Sequence, residues 1–395
     1  MKKYLFFMCV LLSVQLSAQT KYVSKSIYIE DRAIVKIGAY PDYKYGFVDR
    51  DGNEVVAVKY DGAEDFNGGL ARVSLNKKFG YVDKQGNEVI LVKYSFVKRF
   101  SEGLVEVAIG GETDEYSDMP RNAEWGYMNT KGELIVHFKY DETSAFKNGV
   151  AVVKGGGDNG KYGLINIKGE EITPLKYDRI DFENDIDLAK ISMKYKQGYL
   201  NKQGREIVPP IFDYVFCADS MILVNNSDDK KSGFYDLNGK EVIPLIYDHV
   251  EHFTDGLAPV SKNEKYGFIN KKGEVVVDFK YDYASEFSAG FAFVVKNKKY
   301  GFINTKNEFL VKPQYEDAWN FGEGIARVKQ NGKWGFIDTK GTLVIPCIYD
   351  DVYRDLSGGI DIVVVKDGKK IVIDKEGNKL YDYQEEDGKG GDDDY

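Results

Sequence analysis

Cysteine and histidine are scarce, three of each in 395 residues, which argues against a disulfide framework or a Cys/His zinc module. Positive charge is in deficit: 54 Lys+Arg against 63 Asp+Glu leave a formal net charge of −9, the wrong sign for a nucleic-acid binder. After residue 16 there is no long apolar run, and no window carries the 3.6-residue apolar period of an amphipathic helix. The excess is in aromatics, 29 Tyr, 23 Phe and 3 Trp, far more than a disordered acidic chain would carry. Such a chain folds, around cores built from rings, turns and carboxylates.

Residues 1–19 begin with Lys2 and Lys3, run apolar over 4–16 and close on Ser17 and Ala18, the pattern of a secretory signal peptide. The run falls short of the roughly 20 residues a spanning helix needs. The mature chain is therefore expected to be exported to the periplasm, the outer surface or the medium, not spanning the membrane and with two lysines fewer. Cys9 lies inside the run, which argues against a lipid anchor, and Cys217 and Cys347 read as buried free thiols.

One glycine recurs through the rest: Gly46, Gly80, Gly126, Gly163, Gly198, Gly233, Gly267, Gly301 and Gly335, mostly 34 or 35 residues apart. An aromatic precedes it in all units but those of Gln197 and Ser232. Three residues on comes Asp or Asn, and three further Gly, as in Asp49/Gly52, Asn270/Gly273 and Asp338/Gly341, with Asn307 the one substitute. This spacing predicts a hairpin turn whose first side chain bonds the local backbone and whose fourth residue takes positive φ. A β-branched strand follows, often closed by proline (Pro174, Pro209, Pro244, Pro346), where ladder pairing is expected to end.

Fourteen residues past the anchor stands another aromatic, then an acid in all units but that of Ser95. The recurring acids (Asp61, Asp141, Asp178, Asp248, Asp282, Asp350) read as turn-forming side chains, because an active site needs a unique group and these repeat. Six units carry Phe-x-x-Gly, such as Phe287/Gly290, before a closing strand. The lysines two before the anchor read as solvated strand edges.

The fold is thus all-β: about ten tandem β-hairpin repeats of ~34 residues over 20–383. In Trp334-Gly335-Phe336-Ile337, alternation puts apolar groups on both faces, so neighbouring units must cover both. The chain starts and ends mid-unit. An open superhelical stack is favoured, and a closed propeller-like ring pairing the two half-units is the alternative.

The opening Lys333-Trp334-Gly335-Phe336-Ile337-Asp338, repeated as Lys299-Tyr300-Gly301-Phe302-Ile303-Asn304, resembles the bacterial WG-repeat, or KWG-repeat, family. The resemblance covers residues 22–383. It implies an exported or surface-associated β-repeat protein and no particular activity.

Candidate sites lie where the repeat breaks. Residues 109–123 are inserted before Gly126 and carry Glu112, Asp114, Glu115 and Asp118, a set suited to a basic partner or a loosely held cation, with a tolerated surface loop as the alternative. If the rings before the anchors (Trp125, Tyr300, Trp334) were exposed in a row they would form a stacking platform for sugars; as core they would close-pack the repeats. The non-recurrent pair Asp185/Asp187 is the candidate for glycoside chemistry. His249 and His252 lack a metal-binding frame, and the glycines around Asp158 read as a hairpin loop. Residues 384–395 read as a disordered acidic tail. No cofactor is expected. The function expected is that of a non-enzymatic protein-binding or scaffold module at the cell envelope, with carbohydrate binding or cleavage as the alternative.

Overall fold

The computed structural model describes residues 21–114, 117–183, 187–228, 230–354 and 362–383, without the side chains of Asp114, Ser117, Asp118 and Arg354. The expected signal peptide, the acidic tail, Glu115 and Asp185 lie outside these residues. The chain divides after Ile180 into two compact units. Among the described residues there are ten antiparallel sheets, nine of four strands and one of three, and the one helical turn is Gly157–Asn159.

Nine sheets are built from four consecutive strands, and the one that opens with Glu142–Thr143 from three. In one of the nine, His249–Val250, Leu257–Lys262, Lys265–Asn270 and Val275–Tyr281 lie side by side in chain order. The unit read from anchor to anchor is therefore out of phase with the sheet: it spans the last two strands of one sheet and the first two of the next. The half-units at the two ends belong to whole sheets. Ser24–Lys25 and Ala33–Ile37 complete the first, and Lys369–Ile373 and Lys379–Asp382 complete the last. The strand exchange that a ring closing its half-units would require completes neither.

The turn is as its residue types demand. Asn270 accepts from the backbone N–H of Lys272 and Glu274 through Oδ1, both at 3.0 Å, while Gly273 donates to Asn270 O with φ +81°. Asn307, the one non-glycine here, takes φ +62°, the left-handed region Asn tolerates best among side chains. Phe-x-x-Gly closes a second, tighter hairpin, in which Ala289 and Gly290 both have positive φ.

Proline does not end the fourth strand at Pro209, Pro244 or Pro346, whereas around Pro174 pairing does fail and leaves single bridges at Glu171 and Tyr177. Pro244, Pro313 and Pro346 lie within Glu241–Tyr247, Phe309–Tyr315 and Leu343–Tyr349, inside a bulge where the ladder is interrupted and no N–H is needed. That bulge explains the anchor glycine. A Cβ on Gly301 would stand 2.6 Å from Val311 O and 2.5 Å from Pro313 N, so the close approach comes from the next strand of the same sheet.

Sheets stack face to face within each unit. In the second unit, Leu257, Phe268, Val277 and Tyr281 of one sheet share a core with Ala284, Phe287, Ala292, Val294 and Ile303 of the next. In the first unit, Leu104, Tyr127, Val136 and Tyr140 meet Phe146, Ala151, Val153 and Ile165. The Phe of Phe-x-x-Gly is the bolt: Phe47–Phe66, Tyr127–Phe146 and Phe268–Phe287 meet steeply inclined across successive sheets at 4.8 to 4.9 Å, a contact worth about 1 kcal/mol beyond burial.

Candidate functional site

The recurring acids are not local turn formers. Asp282 alone separates one sheet from the next; its Oδ1 accepts from Lys265 Nζ at 2.6 Å and its Oδ2 from the Asn297 backbone N–H at 2.7 Å. Lys44/Asp61, Lys231/Asp248 and Lys333/Asp350 repeat the clasp, each acid also accepting from a backbone N–H in the following hairpin. Hydrogen bonding to the lysine holds these carboxyls below their usual range. Six of the lysines read as solvated edges, Lys44, Lys161, Lys196, Lys231, Lys265 and Lys333, are thus paired, and the acids join each sheet to the next. Asp141 serves the Gly157–Asn159 loop in the same way, accepting from Gly157 N–H at 2.8 Å.

A second recurring feature is a rim of cations over rings. In the first unit Arg72 donates to Val97 O of the next sheet at 2.9 Å, with its guanidinium 5.3 Å from the Phe96 ring. Lys98 donates to Thr143 O of the sheet after that at 2.8 Å and lies 4.8 Å over Trp125. Its other partner, Glu106 at 3.2 Å, is 2 % exposed, and burial pushes that carboxyl up. In the second unit Lys190 reaches Val215 O at 2.9 Å, and Arg327 reaches Val352 O at 2.7 Å. Burial pushes the Arg327 guanidinium down; it lies 3.8 Å from the Trp319 ring and 5.2 Å from Trp334.

This rim covers the rings before the anchors. Trp125 and Trp334 are buried under Lys98 and Arg327, and Tyr300 is half-buried against Phe293 at 5.6 Å. Their burial fits a core role better than an open stacking platform. Exposed rings stand elsewhere, on the short first strands of the second unit: Tyr214, Phe216, Tyr283, Trp319 and Tyr353. They follow the recurring acid by one or three residues. The available signal was that these positions keep the period while varying in residue type.

The insertion is a β-ribbon. Leu104–Asp114 and Ser117–Asn129 pair from Leu104/Asn129 out to Asp114/Ser117, with a register shift between Glu112 and Asp114; Gly110 and Gly111 have φ values of +69° and +75°. Glu112 is exposed on it opposite Arg121. The side chains of Asp114 and Asp118, like Glu115, fall outside the described residues.

Other titratable groups are engaged. Asp187 pairs with Lys202 at 3.0 Å, His249 Nε2 lies 2.6 Å from Glu251, and the His252 ring packs 4.8 Å from Phe216. A cleft of about 640 Å³ in the first unit is lined by Glu30, Glu64, Arg72 and Arg99 among others. Glu30 accepts from the Gly68 and Gly69 N–H groups, and Glu64 pairs with both arginines. Among the described residues no three His, Cys, Asp or Glu side chains are grouped to hold a metal ion, and no helix is long and apolar enough to cross a membrane.

Comparison with solved structures returns distant likenesses. A eukaryotic initiation factor aligns at 9 % identity and TM-score 0.36, covering 89 % of this chain and 95 % of its own. AztD from Citrobacter koseri aligns at 13 % identity and TM-score 0.29, covering 76 % and 90 %. No curated protein matches. The family described as WG containing repeat matches residues 45–79, 79–112, 125–157, 162–196, 198–226, 233–266, 266–300, 300–334 and 334–369. With nine tandem matches spanning both units, the chain belongs to the WG-repeat family.

Proposed function

We propose that the protein is an exported, non-enzymatic binding or scaffold module of the cell envelope, and that its partner is a protein held by an extended face with the ribbon contributing. The observation that carries this reading is the ribbon. It interrupts an otherwise regular array, and among the described pairings its strands outward of Ile109 and Glu124 join only each other. Open strand edges offer main-chain hydrogen bonds to an added strand, and Glu112 favours a basic one. The recurring acids support the non-enzymatic part, since Lys/Asp clasps occupy them structurally.

Removing residues 112–121 should weaken capture of that partner, in a salt-sensitive manner, while leaving circular dichroism unchanged; undiminished capture contradicts the reading. Fractionation should find the protein outside the cytoplasm. Polysaccharide cleavage lost on changing one non-recurrent acid such as Asp187 would favour an enzyme instead.

A further inference from the structure

We propose that the second unit carries a row for an extended neutral polysaccharide, separate from the ribbon, with rings at the start of four of five successive sheets and the His249/Glu251 pair at the start of the other. Tyr214, Phe216, Tyr283, Trp319 and Tyr353 are 44, 37, 40, 57 and 49 % exposed. Each occupies the first residue of its strand or the one two further on, positions that share a face. Trp319, just beyond Asp317–Ala318, holds the second of these positions. The rings are carried on a continuous support. Phe216 packs on His252 of the next sheet at 4.8 Å, and Tyr266 touches Tyr283 across sheets at 5.1 Å. Arg327 lies against Trp319 while binding Val352 O of the following sheet.

Three features select the occupant. Stacked sheets lie about 10 Å apart, near the length of one disaccharide in an extended chain, so a polymer of sugars can present a ring to each sheet in turn. Between the aromatics stand acceptors for hydroxyl groups: the Glu251 carboxylate paired with His249, and Asp317 and Asp351, which open their strands. Charge along the row is mixed: the carboxylates stand beside Lys190, 5.3 Å over Tyr214, Lys370, 5.7 Å over Tyr353, and Arg327, half-buried between the rings of Trp319 and Trp334. With neither sign in clear excess, a charged polymer gains little, and planar C–H faces bearing neutral hydroxyls are matched.

The test is affinity electrophoresis of the full chain through native gels containing hydroxyethylcellulose, laminarin or dextran, with dextran sulfate as the acidic comparison. At least one neutral glucan should retard the protein. Trp319→Ala and Tyr353→Ser should each weaken that retention about tenfold, a loss of ~1.4 kcal/mol, with unchanged circular dichroism. The variant lacking residues 112–121 should be retarded like the parent, so failure of the ribbon reading and failure of this one are separable. Any of three results would overturn the row: no retardation by any neutral glucan, retention indifferent to both ring substitutions, or stronger retention by dextran sulfate. So would a Trp319-dependent preference for a proline-rich peptide over all three glucans.

Discussion

Gly301→Ala adds one methyl group against backbone that is already in place. The new Cβ would meet Pro313 N at 2.5 Å, Val311 O at 2.6 Å and the Lys312 carbonyl carbon at 2.8 Å, where ordinary contacts begin near 3.4 Å. All three atoms belong to the bulge between the pairs Tyr300/Tyr315 and Phe302/Val311. Relief requires that bulge to shift by most of an ångström, carrying the buried Val311 and Tyr315 with it. Overpacking of this kind costs about 1–3 kcal/mol, and backbone obstacles yield less than side chains, which places this substitution near ~3 kcal/mol. Gly290 is the control: its φ is +83° and nothing lies within 4 Å of its added Cβ, so Gly290→Ala costs only the left-handed backbone, about 1–2 kcal/mol. Hydrogen exchange over residues 299–315, read by mass spectrometry, measures both. A difference of ~1.4 kcal/mol corresponds to about tenfold faster local opening for Gly301→Ala. If the two variants exchange alike, the bulge does not explain the anchor glycine.

Phe287→Ala, at a ring 4.9 Å from Phe268 across the sheet boundary, should lose about 3–5 kcal/mol; an unchanged melting temperature would remove the inter-sheet bolt. The clasp acids have native pKa values below their unfolded ones, so their contribution is present above the unfolded value near about 4 and disappears as pH falls through the native value. The urea midpoint should accordingly stay level from neutral pH downward and then drop in acid, less steeply in the Asp248→Asn/Asp282→Asn variant; identical acid slopes would contradict the clasp. Burial pushes the Cys217 thiol up to about 11, so a thiol reagent at neutral pH should label it slowly in the native chain and quickly in urea, whereas fast native labelling would place it in the open.

The strand order, the turn at Asn270/Gly273 and the apolar character of both sheet faces were legible because each depends on residues close in the chain or on alternation along one strand. Harder to read was anything fixed between strands. Gly301 recurs in the sequence without showing what crowds it, since a bulge two residues wide is invisible until the register is known. Pro244 looked like a strand end for the same reason. Asp282 bonds Lys265 and Asn297, 17 residues back and 15 ahead, a reach that no local turn rule contains. The exposed rings at Tyr283 and Trp319 escaped because regularity drew attention to the residues that repeat, and those are the structural ones. Phase is hidden too: the motif begins at the third strand of a sheet, which makes complete terminal sheets look like halves.

The central claim is that stability passes from sheet to neighbouring sheet through shared cores and Lys/Asp clasps. Truncation after Glu316 tests it most directly, because it removes the last two sheets, Asp317–Tyr349 and Asp351–Asp382, and leaves the boundary core of Phe291, Phe302 and Tyr315 without its cover. Hydrogen exchange on the remaining chain should show lost protection confined to the sheet spanning 283–315, with the sheet spanning 214–247 as protected as in the full protein. Loss of protection throughout the second unit would contradict the account and mean that its sheets fold as one indivisible body.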